Sequence, residues 1–399
     1  MTPLKKEVNF GSVNTFHLML GPECNMRCRH CFQTPLKKNF LSKEISDDSM
    51  QTLNSFIAFS QSDKYHVDKC TSGNPYYRLF FWGGEALLHW NLLKKIIKEM
   101  TERHNILSNH AFRFIITSNG LLLNDEMIKF MNEYEVYFHF SYDAPHPFAV
   151  RGKVPETICD KVKQIKYHKP LSTGSAHNCD PLLAYRCLKA KFPNAYNYAV
   201  GYEISRSFEM EEDIYRYDFD KIRENIRKIC IAAKLGDVYA YRYLTKKLLL
   251  FKLNPQHNFH KLSGGLPNCI AGRDNFNLTL DGKITLCHNY WIPLGDVNDS
   301  LATLKEKALT FWEHHKLKEC NDCRFIDICH GNCPFTVCDD NGGNLMCKEF
   351  SIPFYTILEE EVMRMTEPLT QDDISWYKKK EKEMDAQIQE FLLIGEKEK

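Results

Sequence analysis

No stretch of this sequence approaches the roughly eighteen consecutive apolar residues of a membrane span. Its N-terminus, MTPLKKEVNFGSVNTFHLML, lacks the sustained apolar core of a secretory signal. Charge of one sign is equally lacking: 52 Lys and Arg against 51 Asp and Glu leave a formal net charge of +1. A nucleic-acid-binding domain carries a basic excess, so that class is set aside, as is a membrane protein. Low-complexity tracts, short-period repeats and Gly/Ser linkers are also missing, and the domains are therefore expected to be joined by structured segments. With 399 residues, 43% of them hydrophobic, the chain can bury a large core and is expected to hold two structural units plus extensions. Aromatics at 13% suit a packed globule with a water-excluding cavity. The sequence is also rich in cysteine, with sixteen.

Eleven of the sixteen fall into two groups. The first is Cys24-Asn-Met-Arg-Cys28-Arg-His-Cys31, a CxxxCxxC run. Three thiolates on one short loop can hold three corners of a [4Fe–4S] cube and leave the fourth iron open to a substrate or cofactor. The second group begins at Cys269, reaches Cys287, runs Cys320-x2-Cys323-x5-Cys329-x3-Cys333, and closes with Cys338 and Cys347. These eight thiols suffice for two more four-thiolate sites. Disulfides require an oxidising compartment, for which the sequence carries no export signal. Zinc is the stronger competitor at Cys320-x2-Cys323, half of a possible ribbon, but leaves the three-Cys group without a fourth thiol or His at ribbon spacing. The remaining five, Cys70, Cys159, Cys179, Cys187 and Cys230, fit no ligand spacing and are expected to be buried free thiols. So many unpaired thiols point to a reducing cytoplasm.

Strand-like and helix-like segments alternate through the first 240 residues, the pattern of βα units around a parallel sheet. Strands are expected at Thr15 to Leu20, Tyr77 to Trp82, Phe112 to Thr117 and Val136 to Tyr142. Each is followed directly by a polar or Gly-rich motif: the cysteine loop, Gly83-Gly84-Glu85, Ser118-Asn119-Gly120 and Asp143-Ala144-Pro145. Parallel α/β sheets build their active sites at these C-terminal strand ends. Helices are expected over Leu87 to Arg103, Asp125 to Tyr134, Pro155 to Tyr167 and Asp218 to Lys234. A later strand is expected at Asn197 to Ile204, and another hides near 171–180. Phe276 to Leu280 and Lys283 to Leu286, split by Asp281-Gly282, read as a hairpin. Beyond 350 the chain is charged and helix-prone.

The first cysteine group resembles the signature of the radical SAM superfamily. The second resembles the SPASM pattern of that superfamily's peptide-modifying branch: Cys, spacer, Gly, four residues, Cys, then CxxCx5CxxxC and a last Cys. Four residues separate Gly282 from Cys287, and the CxxCx5CxxxC block is complete. The resemblance covers residues 14 to 350. It implies an α/β fold, a partial (β/α)6 radical SAM barrel at 12–240 after an N-terminal extension at 1–11. A bridging segment at 241–265, a cysteine-rich SPASM domain with auxiliary iron–sulfur clusters at 266–350 and a helical tail at 351–399 would follow.

The resemblance also implies cofactors and roles. S-adenosylmethionine (SAM) would chelate the open iron held by Cys24, Cys28 and Cys31, and reductive cleavage would release a 5′-deoxyadenosyl radical. Phe32 matches an adenine-contacting aromatic. Gly83, Gly84 and Glu85 match the GGE motif at the methionine end of SAM, with Glu85 accepting from its ammonium. Asn119, Ser141 and Asp143 match positions lining the ribose and carboxylate. Two auxiliary [4Fe–4S] clusters would draw on Cys269, Cys287 and Cys333, and on Cys320, Cys323, Cys329 and Cys347. Cys338 either completes the first of these or is an inert thiol. His288 stands where sulfatase-maturing relatives carry an acid, so it is a candidate general base, although it can equally cap a strand end beside a cluster.

The activity implied is hydrogen abstraction from a residue of a ribosomally made peptide, giving an oxidative modification or crosslink. The alternative is formylglycine formation on a protein, as in anaerobic sulfatase maturases. An alternative of another class is a non-catalytic zinc-stabilised interaction module. Partners implied are a peptide or small protein substrate and a reductant such as flavodoxin or ferredoxin. Only 23 residues precede Cys24, so a leader-binding domain is expected on a separate protein or not at all. No nucleic acid or membrane is expected as a partner.

Overall fold

The computed structural model describes residues 15–31, 76–107, 111–200, 214, 216–244, 275–280, 282–287, 293–296, 298–314, 323–325 and 347–394. Among the described residues nine strands form one sheet in the order β6-β5-β4-β3-β2-β1-β7-β8-β9. The strands are β1 (Thr15–Met19), β2 (Tyr76–Trp82), β3 (Ala111–Ser118), β4 (Tyr137–Ser141), β5 (His168–Ser172), β6 (Ala199–Val200), β7 (Asn275–Thr279), β8 (Lys283–Thr285) and β9 (Pro293–Asp296). β1 to β6 run parallel, each beside the next.

The helices between them follow from local chemistry. Glu85 caps a 3-10 turn (Ala86–His89) that leads into α1 (Trp90–Leu107). Asn124 accepts from the Met127 amide at the start of α2 (Asp125–Glu133), whose first turn is acidic, as the helix dipole favours. α3 (Pro147–Val150) is a single turn, and α4 (Glu156–Val162) follows it. Asp180 caps α5 (Pro181–Lys191) with Pro181 in its first turn, and Asp218 caps α6 (Phe219–Lys234). α6 buries Ile222, Ile226 and Ile229, one helical stripe. α7 (Val238–Leu244), α8 (Leu301–His314), α9 (Ile352–Arg364) and α10 (Gln371–Ile394) complete the helices among the described residues. No helix among the described residues is long and apolar enough to cross a membrane.

Period-2 alternation splits the sheet into two faces. Leu18, Phe81, Ile116 and Phe138 are register neighbours and belong to the core shared with the helices. The alternate positions are more polar. There His17 stacks on Phe80 at 4.8 Å, and His139 meets the Phe80 edge at 5.8 Å. Both imidazoles are buried, which drives their pKa down to about 4 for His17 and about 3 for His139, so both are neutral. His139 Nε2 lies 2.9 Å from the Tyr196 hydroxyl.

The parallel α/β architecture expected from the sequence is present. Boundaries differ where local signals are weak. β5 begins at His168, ahead of the 171–180 segment, because pairing with β4 overrides the poor strand propensity of His-Lys-Pro-Leu-Ser. The segment from Pro155 to Tyr167 is helical only over Glu156–Val162. The β7–β8 hairpin forms as expected, with Gly282 at φ +83°. β7 also pairs parallel with β1 along five residues, so the hairpin extends the parallel sheet. The tail packs as a helix: Arg186 binds Glu381 and Tyr377 of α10, and Arg227 binds Asp373.

Candidate active site

A cavity of about 190 Å³ opens at the C-terminal ends of β1 to β5. Its lining brings together Cys24, Cys28, Cys31, Gly83, Gly84, Glu85, Asn119 and Ser141, all singled out from the sequence. Ser118 of the Ser118-Asn119-Gly120 motif lines it too, as do Trp82, Arg151 and Thr173, which the sequence did not single out.

The cysteine loop is held from two sides. After β1 and β2 the two chains continue side by side: Leu20 N–H donates to Trp82 O at 2.9 Å, Gly84 N–H to Gly21 O at 2.9 Å, and Glu85 N–H to Glu23 O at 2.7 Å. A Cβ on Gly84 would collide with the Glu23 and Pro22 carbonyls, and one on Gly83 (φ +150°) with the Gly21 carbonyl. The two glycines therefore let the β2 tail lie against the backbone that delivers Cys24. On the other side, Arg29 N–H donates to Val150 O at 2.8 Å and Arg29 Nη1 to Ala149 O at 2.9 Å, tying the loop to α3.

Glu85, 2% exposed, is engaged by the chain itself. Oε1 accepts from Leu87 N–H at 3.0 Å and Ser118 Oγ at 2.6 Å, and Oε2 accepts from Asn119 N–H at 2.9 Å. Burial raises its pKa, and these three donors oppose the rise. A carboxylate has about four acceptor sites, so only Oε2 retains capacity for a further donor such as the SAM ammonium. Asn119 is similarly employed: Nδ2 donates to Asn25 Oδ1 at 2.8 Å and Oδ1 accepts from Leu121 N–H at 3.0 Å. It joins the β3 end to the cysteine loop.

Asp143 is fully buried and is absent from the cavity lining. Its Oδ2 accepts from Arg151 Nε at 2.9 Å, and Oδ1 accepts from Thr173 N–H at 2.8 Å and Arg151 Nη2 at 3.4 Å. The same guanidinium reaches His30 Nε2 at 3.2 Å and Cys28 Sγ at 3.7 Å. Burial pushes the Cys28 thiol up to about 11, and Arg151 partly opposes it. Burial lowers the His30 pKa, with the nearby Asp143 carboxylate opposing.

Three thiols around one cavity, with backbone packed close behind them, fit a cluster bound through three corners. Residues 18–173 match the radical SAM superfamily model. That segment is a radical SAM domain. Such a domain implies a [4Fe–4S] cluster and SAM. The chain is 20% identical to the radical SAM cyclopropyl synthase TigE of Paramaledivibacter caminithermalis over 375 residues, 88% of this chain and 75% of that one. Its fold is similar to native anSMEcpe with bound AdoMet (TM-score 0.62, 17% identity, 89% of this chain and 100% of that). It is also similar to SuiB of Streptococcus suis bound to the precursor peptide SuiA (TM-score 0.54, 14% identity, 85% and 77%). At these identities the structural likeness establishes the fold.

Several sequence candidates lie outside the described residues: Phe32, His288, Cys269, Cys320, Cys329, Cys333 and Cys338. Of the C-terminal cysteines, Cys287 is buried just after β8, Cys323 is half-buried, and Cys347 opens the π-helical turn Cys347–Ser351 ahead of α9. Cys159, Cys179, Cys187 and Cys230 are buried free thiols in the core, as expected. Cys70 is outside the described residues.

Proposed function

We propose that this radical SAM enzyme acts on a residue of a peptide by hydrogen abstraction, and that residues 266–350 form a SPASM domain with two auxiliary [4Fe–4S] clusters. The observation carrying the first part is the cavity that unites Cys24, Cys28 and Cys31 with the ends of four parallel strands. Bound there, the cluster and SAM supply a 5′-deoxyadenosyl radical. The chain's own residues do the rest. Cys24, Cys28 and Cys31 hold three irons. Gly83 and Gly84 set the approach of the β2 tail, and Glu85 offers its remaining Oε2 acceptor to the SAM ammonium. Ser141 lies where the ribose and carboxylate are expected. Trp82, Met26 and Leu171 give the cavity apolar walls that exclude water from a radical.

The auxiliary clusters rest on the complete CxxCx5CxxxC block and on Gly282-x4-Cys287. Their ligands are Cys269, Cys287 and Cys333, and Cys320, Cys323, Cys329 and Cys347. Cys338 either completes the first set or leaves one iron open to substrate. Such clusters suit a net oxidation, in which a substrate radical loses one electron. A peptide as substrate is supported by two structural neighbours, SuiB bound to precursor peptide SuiA and anSMEcpe bound to the Cp18Cys peptide. The likeness to anSMEcpe also favours, as a second reading, sulfatase-maturase-like formylglycine formation. Against it stands His288 in place of the acid. In the peptide reading His288 takes a proton from the substrate residue, a reductant such as flavodoxin or ferredoxin supplies the electron, and the cytoplasm is the site of action. The test is anaerobic co-expression with a short peptide encoded beside this gene, read by mass spectrometry. A loss of two hydrogens with 5′-deoxyadenosine formation supports the reading. An unaltered peptide together with a converted sulfatase-type Cys or Ser favours the second.

A further inference from the structure

Among the described residues lining the cavity, Arg151 is the one guanidinium, and its surroundings fix it. The fully buried Asp143 carboxylate holds it through Nε and Nη2, and that carboxylate is tied to β5 through Thr173 N–H. The fork leaves Nη1 3.7 Å from Cys28 Sγ and Nη2 3.2 Å from His30 Nε2. An Arg side chain does not deprotonate in proteins, so this is a permanent positive charge beside one cluster thiolate. The Arg151 side chain is 12% exposed, and screening by water is correspondingly weak. Cluster potentials respond to net charge and to hydrogen bonds on the ligand sulfurs.

We propose that Arg151 is a positioning residue that raises the reduction potential of the cluster held by Cys24, Cys28 and Cys31, with Asp143 setting its place and partly offsetting its charge. The proposal rests on the assignment of Cys28 as a cluster ligand. Reduction takes one electron from a one-electron donor such as reduced flavodoxin, moves the cluster from the 2+ to the 1+ state, and involves no proton and no bond change. The added negative charge is what the guanidinium stabilises.

The test is the midpoint potential of the SAM-free cluster, read by EPR at controlled potentials in anaerobically reconstituted wild type and variants, with SAM affinity measured in parallel. Arg151→Gln is expected to make reduction about tenfold less favourable, a shift of 59 mV to more negative potential for a one-electron couple. Arg151→Lys, which keeps the charge, recovers most of that shift. Asp143→Asn, which removes the opposing charge, moves the potential the other way. The opposite signs separate electrostatics from damage, since a merely structural pair would shift both variants alike. An unchanged potential in Arg151→Gln with weakened SAM binding would make Arg151 a SAM ligand instead and overturn the proposal. If Arg151→Gln retains no cluster, the sign of the Asp143→Asn shift decides: upward sustains the proposal, downward or none refutes it. A wild type that assembles no cluster at Cys24, Cys28 and Cys31 would instead refute the ligand assignment itself.

Discussion

Glu85→Ala tests how the strand ends are held together. In the wild type, one buried carboxylate receives Leu87 N–H, Ser118 Oγ and Asn119 N–H, and so joins the ends of β2 and β3 to the start of the 3-10 turn. The substitution leaves three donors without an acceptor. A hydrogen bond to a charged group contributes about 1.5–3 kcal/mol, and a lost N-cap costs about 1 kcal/mol. These do not add fully, because removing the carboxylate also relieves the desolvation that raises its pKa. A net loss of about 3–5 kcal/mol follows, the scale of breaking a buried charged network. Glu85→Gln keeps one oxygen for Leu87 and Ser118 but turns an NH2 towards the Asn119 amide, for about 1–3 kcal/mol. The assay is anaerobic urea unfolding followed by circular dichroism, with SAM affinity measured by equilibrium dialysis. Loss of SAM binding should accompany loss of stability in both variants, more in Ala than in Gln. A Glu85→Ala protein within about 0.5 kcal/mol of wild type would refute the clamp and return Glu85 to a purely ligand-facing role.

Two further outcomes follow from the same geometry. Gly84→Ala forces a Cβ into the Glu23 and Pro22 carbonyls, so we expect a loss of about 1–3 kcal/mol from overpacking and poorer iron retention; wild-type iron content and stability would contradict the close approach. His17 and His139 have folded-state pKa values depressed to about 4 and about 3 from 6.5. Their stabilising contribution is therefore complete above pH 6.5 and is lost as pH falls towards those values, because the unfolded chain binds the proton first. Each should cost about 2 kcal/mol by pH 5. His139→Gln, which can keep a hydrogen bond to Tyr196, should flatten the pH dependence of unfolding, and an unchanged slope would contradict the buried neutral imidazole.

The sheet was legible in the sequence wherever an apolar run met a turn motif. Leu79 to Trp82 before Gly83-Gly84, and Phe114 to Thr117 before Ser118-Asn119-Gly120, combine strand propensity with a backbone stop, and both strands lie within a residue or two of expectation. β5 was obscured because its residues are weak strand formers placed by β4. The site was legible to the extent that motifs announce themselves by spacing. Cys24, Cys28 and Cys31 share one loop, and the GGE and Ser-Asn-Gly motifs sit at strand ends. Arg151 had no such signal: it is a single Arg after a one-turn helix, and only folding brings it from eight residues beyond Asp143 back onto Cys28. The internal employment of Glu85 and Asn119 was hidden for the same reason, since their partners lie 33 and 94 residues away.

In the proposed function, the thiols of Cys24, Cys28 and Cys31 hold the cluster that activates SAM. The most direct measurement is iron and acid-labile sulfide per chain after anaerobic reconstitution, in wild type and in the Cys24→Ala, Cys28→Ala, Cys31→Ala triple variant. Three cubes give about twelve irons in wild type and about eight in the variant, which should also make no 5′-deoxyadenosine. Equal iron in the two proteins, or stoichiometric zinc without sulfide, would contradict it.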